Sequence, residues 1–477
     1  MELKRVAILL LLALISAYSA SAKVIYVDDD GPADFNNIQA AIDDANDGDT
    51  VIVADGTYTG DGNRDIDFKG KAITVRSENG PQACIIDCQG SRGFYFHSGQ
   101  DENSILDGFT ITNADGFYGG AITCDGGSPR IMNNTITGNH AHWGGGGGMS
   151  NYNSSPIVTN CTFSGNSAKY YGGGMFNEDS RPTVTNCIFS ANSAEKYAGG
   201  GMYNVRSSPT VNGCTFTANS AIGDFGSGAG MGNFDSSPTV KCCTFTDNSA
   251  QYSGGGMCND NSSPRVTKCT FTANSAKYRG GGMFNYDNSS PTVTNCTIAY
   301  NSSANGPAVA CDSSEHRYPS SITMVNSVVW NGHNWLCNND RSTIIVTYSN
   351  IQGGYSGRWW SGNMNADPCF ADATDGDYHL KSEAGRWDPN TQSWVLDDVT
   401  SLCIDAGDPA SPIGLEPFPN GGIINMGAYG GTDEASKSYF GDPICETIVA
   451  GDINGDCKVD LADFAIMSLH WLAGHNP

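Results

Sequence analysis

Seven prolines, Pro129, Pro156, Pro182, Pro209, Pro238, Pro264 and Pro291, recur every 26 to 29 residues, and the chain between them repeats in register. Five residues after each of the last six stands a cysteine: Cys161, Cys187, Cys214, Cys243, Cys269 and Cys296, with Asn134 in the first copy. Two further on is Phe163, Phe189, Phe216, Phe245 or Phe271, with Ile136 and Ile298 at the two ends. Three further again is Asn139, Asn166, Asn192, Asn219, Asn248, Asn274 or Asn301. A glycine-rich turn then leads to Met149, Met175, Met202, Met231, Met257 or Met283, each followed two residues later by an asparagine, from Asn151 to Asn285. A period of this length marks a unit that buries its apolar side only by stacking on its neighbours.

Within one unit the alternation is that of short strands. In Pro182-Thr-Val-Thr-Asn-Cys-Ile-Phe, Val184 faces inward, the chain bends near Asn186, and Cys187 and Phe189 share the inner face. The bend falls on Asn160, Asn186, Gly213, Cys242, Lys268 and Asn295, half of them asparagine and one glycine, types that tolerate a left-handed backbone. A third strand covers the Gly-Gly-Gly-Met-Phe-Asn segment, so three strands per coil are expected. Parallel strands with right-handed crossovers wind a right-handed, single-stranded parallel β-helix, an all-β solenoid.

Coils about 4.8 Å apart turn each repeated residue into a ladder. The two asparagine series read as amide ladders. Cysteine Cβ atoms at that spacing lie just beyond the usual disulfide range, so the series reads as an apolar thiol stack with at most a few neighbours oxidised. The chain has 17 cysteines, and an odd number leaves one thiol unpaired. An open stack must cap its ends; residues 36–45, with Ile38, Ala41, Ile42 and Ala45 at helical spacing, supply the first cap. After about residue 302 the register decays into irregular coils that are expected to finish near residue 431.

Lys4 and Arg5, an apolar run over 6–15 and Ala20-Ser21-Ala22 form a signal peptide, residues 1–22, cut before Lys23. No later stretch has the roughly 18 to 20 continuous apolar residues of a membrane span. The expected location is secreted, extracellular or at the cell surface. A net charge of -25 argues against nucleic acid as a partner and favours cations.

Ile25-Tyr-Val-Asp-Asp-Asp, Gly48-Asp-Thr-Val-Ile-Val-Ala-Asp-Gly-Thr-Tyr, Leu106-Asp-Gly-Phe-Thr-Ile-Thr-Asn and Cys403-Ile-Asp-Ala-Gly-Asp-Pro resemble bacterial secreted β-helix proteins of the pectin-lyase-like superfamily, over residues 23–431. The Phe-x-x-Asn and Gly-Gly-x-Met repeats, regular over about 119–301, are also similar to those of chlamydial polymorphic outer-membrane proteins. The first resemblance raises polysaccharide processing, by analogy of fold alone. The Trp-x-Asp-His and Arg-x-Pro-x-x-Arg motifs of pectate lyases and the Asn-Thr-Asp, Gly-His-Gly and Arg-Ile-Lys motifs of polygalacturonases do not occur in the chain. His140, His142, His333, Arg265 and Arg279 are isolated groove candidates, no catalytic set emerges, and the reading leans away from an enzyme.

After a linker over 432–450, Asp452-Ile-Asn-Gly-Asp-Cys-Lys-Val-Asp-Leu-Ala-Asp has oxygen donors at EF-hand positions. Asp452, Asn454, Asp456, Asp460 and Asp463 would ligate Ca²⁺ by side chain and Lys458 by its carbonyl, with an amphipathic helix from 461 to 472 following. Residues 451–477 resemble one half of a type I dockerin, which implies a cohesin-like or envelope partner. Cys457 replaces the glycine of position 6 and the second half is missing, so a small calcium-stabilised module, braced by a Cys445–Cys457 bridge, is the simpler expectation.

One aromatic recurs in the turn before each glycine-rich strand: Tyr118, Trp143, Tyr171, Tyr197, Phe225, Tyr252 and Tyr278. Such a row can stack on a polysaccharide or cell-surface glycan, or on a protein, or can simply seal the corner of the solenoid. The leading expectation is a non-catalytic glycan-binding β-helix with a calcium-dependent tail. A polysaccharide lyase or glycoside hydrolase and a structural surface-layer component are the alternatives.

Overall fold

The computed structural model describes residues 22–117, 119–314, 317–332, 334–339, 341–354, 361–440, 451, 453 and 458–473. The signal-peptide segment 1–21, Tyr118, His333, Cys445, Asp452, Asn454, Asp456 and Cys457 lie outside them. The parallel solenoid is as expected, but it has four sheets, of 13, 12, 11 and 7 strands, where three strands per coil were expected. One coil shows the pattern: Thr183–Thr185, Ile188–Ser190, Ser193–Ala194 and Met202–Val205 belong in turn to the four sheets. The additional strand is the Ser-Ala pair after the ladder asparagine. Two residues are too short to carry a visible alternation, yet Ala168, Ala194 and Ala221 are fully buried there.

Every strand of these four sheets pairs in parallel with its copy one coil away, so like residues lie directly above one another. Phe163, Phe189, Phe216, Phe245 and Phe271 stack with ring centroids 4.6 to 4.8 Å apart and planes within 4° of parallel. Isolated rings prefer offset or edge-on packing; the face-to-face stack is imposed by the coil rise. The bend residues take positive φ as expected, at Asn160, Asn186, Gly213, Cys242, Lys268 and Asn295.

The asparagine ladder saturates its amides. Asn219 Nδ2 donates to Asn248 Oδ1 at 2.9 Å and to the Phe189 carbonyl at 2.9 Å. Its Oδ1 accepts the backbone and side-chain N–H of Asn192, both at 3.0 Å. The second ladder, from Asn151 to Asn285, passes one amide bond per coil at 2.8 to 2.9 Å. A serine ladder joins them: the backbone N–H of Ser180 donates to Ser207 Oγ, and that of Ser207 to Ser236 Oγ. The cysteines are all free thiols among the described residues. Each backbone N–H of the stack up to Cys269 donates to the next sulfur, as Cys187 does to Cys214 Sγ at 3.4 Å, that of Cys296 donates to Ser327 Oγ, and each sulfur faces a strand carbonyl. Burial pushes the Cys243 and Cys269 thiols well above their ordinary range, which keeps them protonated.

The first cap is the helix Ile38–Asp44, started by Asn37, whose side chain accepts the Ala40 N–H at 2.9 Å, and burying Ile38, Ala41 and Ile42. At the other end the parallel strands stop at Ile351, well before residue 431. The segment Asp377–Leu380 pairs antiparallel with Phe370–Asp372 and not with a coil. Period-2 alternation is the same for either pairing, which is why it reads as another coil. Residues 361–440 instead fold back along the solenoid. Asn295 Nδ2 donates to the Asn425 carbonyl and Lys268 Nζ to that of Gly431, while Leu380, Cys403, Ile404 and Met426 pack on Val328. No helix among the described residues is long and apolar enough to cross a membrane.

Asn219→Ala strips partners from the buried Asn192 amide and the Phe189 carbonyl, and should cost at least ~3 kcal/mol at about 1 to 3 kcal/mol per stranded group. Ile188→Thr, at a 44 % exposed site on the preceding coil, should stay within about 0.5 kcal/mol. Denaturant unfolding measures both, and hydrogen exchange should place the Asn219→Ala loss in the coils on either side of it.

Candidate functional site

The outer corner between the short sheet and the glycine-rich sheet is where the repeated turns leave the core. Trp143 and Tyr197 are 49 % and 38 % exposed, and the rings of the corner form two runs. Phe117, Trp143, Tyr170 and Tyr197 follow one another at 5.9 to 6.1 Å, and Phe225, Tyr252 and Tyr278 at 6.3 and 5.3 Å. Lys169, Lys196 and Lys277 each place an ammonium about 5 Å from a ring of these runs, a cation–π arrangement that holds the rings upright.

In its coil Tyr170 continues the row, and Tyr171 turns inward. There it stacks on Tyr203 at 4.7 Å and on Tyr197 at 5.1 Å. Tyr203 projects from the glycine-rich sheet, and the residue beside it on the next coil is Gly232. A Cβ at Gly232 would come within 2.7 Å of the Tyr203 ring, so the missing side chain is what lets this ring lie across the neighbouring coil. The same coil is the longest of the proline-marked repeats, 29 residues from Pro209 to Pro238. Its longer turn carries Phe225 outward to 69 % exposure.

These departures from the repeat open a cleft of about 500 Å³. Of the seven aromatics expected from the sequence, Tyr171, Tyr197, Phe225 and Tyr252 line it, Trp143 and Tyr278 extend the rows beyond it, and Tyr118 lies outside the described residues. Its far wall has Asp260, Tyr286, Arg279, Asp312 and Ser313. Arg279 is paired with the buried Asp312 carboxylate. Among the described residues Ser313 Oγ is buried with no protein partner, a hydroxyl that a ligand entering the cleft can satisfy. Asp260 is pushed from its ordinary value of 3.8 to about 6, first by burial and then by the negative charges of Asp287 and Asp235. The cleft therefore combines stacking faces, an orienting ion pair and a carboxyl that changes charge near neutral pH. Arg279 stood among the isolated candidates of the sequence; Asp260, Asp312, Ser313 and Tyr203 did not. Arg265 is exposed outside the cleft.

At the C-terminal end only part of the proposed calcium loop is described. Asp463 is buried and folds back over the loop, accepting the Ile453 N–H at 2.6 Å and the Asp460 N–H at 2.8 Å. Both oxygens of the twelfth-position carboxylate are therefore engaged by backbone N–H donors. Lys458 and Asp460 are exposed. The helix Leu461–Ala473 forms, but Leu461 and Phe464 on its expected apolar side are 83 % and 56 % exposed.

The model of the right-handed β-helix region matches residues 73–232 and 222–352, and the chain belongs to this family. A model described as disaggregatase related matches residues 320–407, the last coils and the start of the folded-back segment. No curated protein matches the chain. Among solved structures, it is similar to pectate lyase Pel9A, at 12 % identity over 87 % of this chain and 97 % of that one, with a TM-score of 0.41. The A-module of the mannuronan C-5 epimerase AlgE6 of Azotobacter vinelandii is 14 % identical over 69 % of this chain and 94 % of the other, with a TM-score of 0.38. The catalytic unit of the GH87 α-1,3-glucanase of Streptomyces thermodiastaticus is 13 % identical over 72 % and 69 %, with a TM-score of 0.31.

The raised carboxyl of Asp260 predicts a pH signature. The folded chain binds this proton more tightly than the unfolded one, so the contribution to stability is present below about pH 4 and is lost as pH rises toward about 6. Asp260→Asn should remove that component: the melting temperature of the variant relative to wild type should rise between pH 4 and pH 7.

Proposed function

We propose that this protein binds a polysaccharide or cell-surface glycan in the aromatic cleft. The observation that carries the reading is the cleft itself, where Tyr171, Tyr203, Tyr197 and Phe225 present rings from successive coils beside Asp260, the Arg279–Asp312 pair and the unpartnered hydroxyl of Ser313. Rings with polar tips stack on the apolar faces of sugars, and the polar wall fixes orientation through hydroxyl groups. The leader segment fits export to the outside of the cell, where such a ligand is met. The acidic loop at 452–463 is proposed to bind Ca²⁺ and to serve as an attachment module for a cohesin-like or envelope protein; the EF-hand spacing of its oxygen donors supports the first half of that reading.

One observation favours a second reading, a lyase or hydrolase. Asp260 is protonated part of the time near neutral pH, as a general acid must be, and Asp312 holds the same strand position two coils away with Tyr286 between. Asp312 is committed to Arg279, so binding is the better-supported role.

Affinity electrophoresis against a panel of acidic and neutral polysaccharides, read together with chain cleavage, tests both readings. Tyr203→Ala and Phe225→Ala should each weaken retention by roughly 2- to 10-fold, the equivalent of about 0.5 to 1.5 kcal/mol per lost ring contact. Retention without cleavage supports binding, and cleavage abolished by Asp260→Asn would establish the enzyme. For the tail, titration of the full chain with Ca²⁺ against a chromophoric chelator should show one site, and Asp463→Ala should weaken it at least about tenfold.

A further inference from the structure

The repeat is broken at one further place, on the short sheet. After the ladder asparagine, later coils read Ser-Ala-Lys, Ser-Ala-Glu, Ser-Ala-Ile, Ser-Ala-Gln and Ser-Ala-Lys; at residues 140–142 the same positions read His-Ala-His. Ala141 is buried, as its counterparts are, so His140 and His142 both project from the outer face of the solenoid. The strand before it pairs Asp115 with His140 and Gly116 with Ala141, and the backbone N–H groups of His140 and His142 donate to the Ala114 and Gly116 carbonyls at 2.7 and 2.9 Å. Parallel register therefore brings the Asp115 carboxylate to the two imidazoles. One ligand atom from each of the three lies within 4.8 Å of the others.

We propose that Asp115, His140 and His142 bind a divalent transition-metal ion of the Zn²⁺ class. The rings of His140 and His142 stand edge to face with centroids 5.2 Å apart, and His142 Nδ1 lies 3.0 Å from Asp115 Oδ1. Two ligand atoms each about 2.1 Å from one tetrahedral ion stand about 3.4 Å apart, so this hydrogen-bonded pair needs to open by only about 0.4 Å to reach coordination spacing. His140 Nδ1 is engaged by Ser167 Oγ at 2.8 Å on the next coil, which fixes the ring and reserves Nε2 for the metal, the usual outer-shell support of a ligating histidine. Two imidazoles and one carboxylate suit zinc and its neighbours and disfavour Ca²⁺, which takes six to eight oxygens. Three protein ligands leave positions open. Asp115 also lines a separate cleft of about 310 Å³ with Asp65, Arg92 and Phe117, so an ion on this triad borders a space where an anionic oxygen can complete its shell beside the Arg92 guanidinium. The site lies on the early coils and uses none of the residues of the aromatic cleft.

Cobalt is the probe. The full chain, stripped with chelator and supplied with excess Ca²⁺ to occupy hard oxygen sites, is titrated with Co²⁺ and followed by its visible ligand-field bands, with Zn²⁺ competition for affinity. The expected result is one equivalent bound without a thiolate-to-cobalt band in the near ultraviolet. His142→Gln, at a largely exposed side chain where folding is not at stake, should abolish the bands, and Asp115→Asn should weaken binding by more than the roughly 10- to 100-fold that outer-shell changes cost; Ser167→Ala should fall within that range. Unchanged Co²⁺ binding in His142→Gln, a thiolate band that reports cysteine ligands, or no binding by the wild type at micromolar metal would each overturn the proposal.

Discussion

The structure depends on one constraint: coils that repeat at the spacing of hydrogen-bonded strands must place chemically compatible side chains directly over one another. Charged groups in an interior column would repel along its whole length, and branched chains of changing size would leave voids. Groups that satisfy their own kind are the solution, and besides the serine ladder the interior uses three of them. The asparagine amide is donor and acceptor at once, the thiol accepts a backbone N–H from one coil while it points its proton at a carbonyl, and the phenylalanine ring packs face to face. Each column repeats because a member that departs from it strands the groups above and below.

The same constraint separates the interior from the surface. Outward positions carry no such requirement, so residues there drift from coil to coil. The third residue after each ladder methionine is Tyr152, Glu178, Val205, Phe234, Asp260 or Tyr286, and Asp312 holds that place after Val309, which follows Met283 in the column. A site built on the outer surface draws side chains from several coils, and its shape depends on inter-coil register more than on sequence proximity. The aromatic cleft and the His–Asp triad are both of this kind.

This division explains what could be read in advance. The inward columns, the bend residues and the capping helix were legible because every coil repeats the same evidence. The aromatic row was legible as well, but its split into a supporting run and an inward-facing Tyr171 was not, since both tyrosines of that turn are plausible members. Asp260, Arg279 and Asp312 follow no period, and only the pairing of strands brings them to one wall. The signals that point to them are departures: Gly232 where its neighbours have Phe176, Tyr203, Cys258 and Phe284, and a 29-residue coil among shorter ones. His140 and His142 looked like isolated surface histidines because their third partner lies a full coil earlier. The Ser-Ala strand was too short to show alternation, and the antiparallel hairpin of residues 370–380 has the same alternation as a coil.

The long turn that carries Phe225 outward shows that a coil can change length at this corner while its strands keep their pairing. A lineage of such chains can therefore widen, narrow or relocate the cleft by insertions confined to one turn, and can lengthen it by duplicating a whole coil, without renegotiating the interior. Under the glycan-binding reading proposed above, the number of coils would set how many units of a linear ligand are measured, and the turns where along the rod the measurement is made.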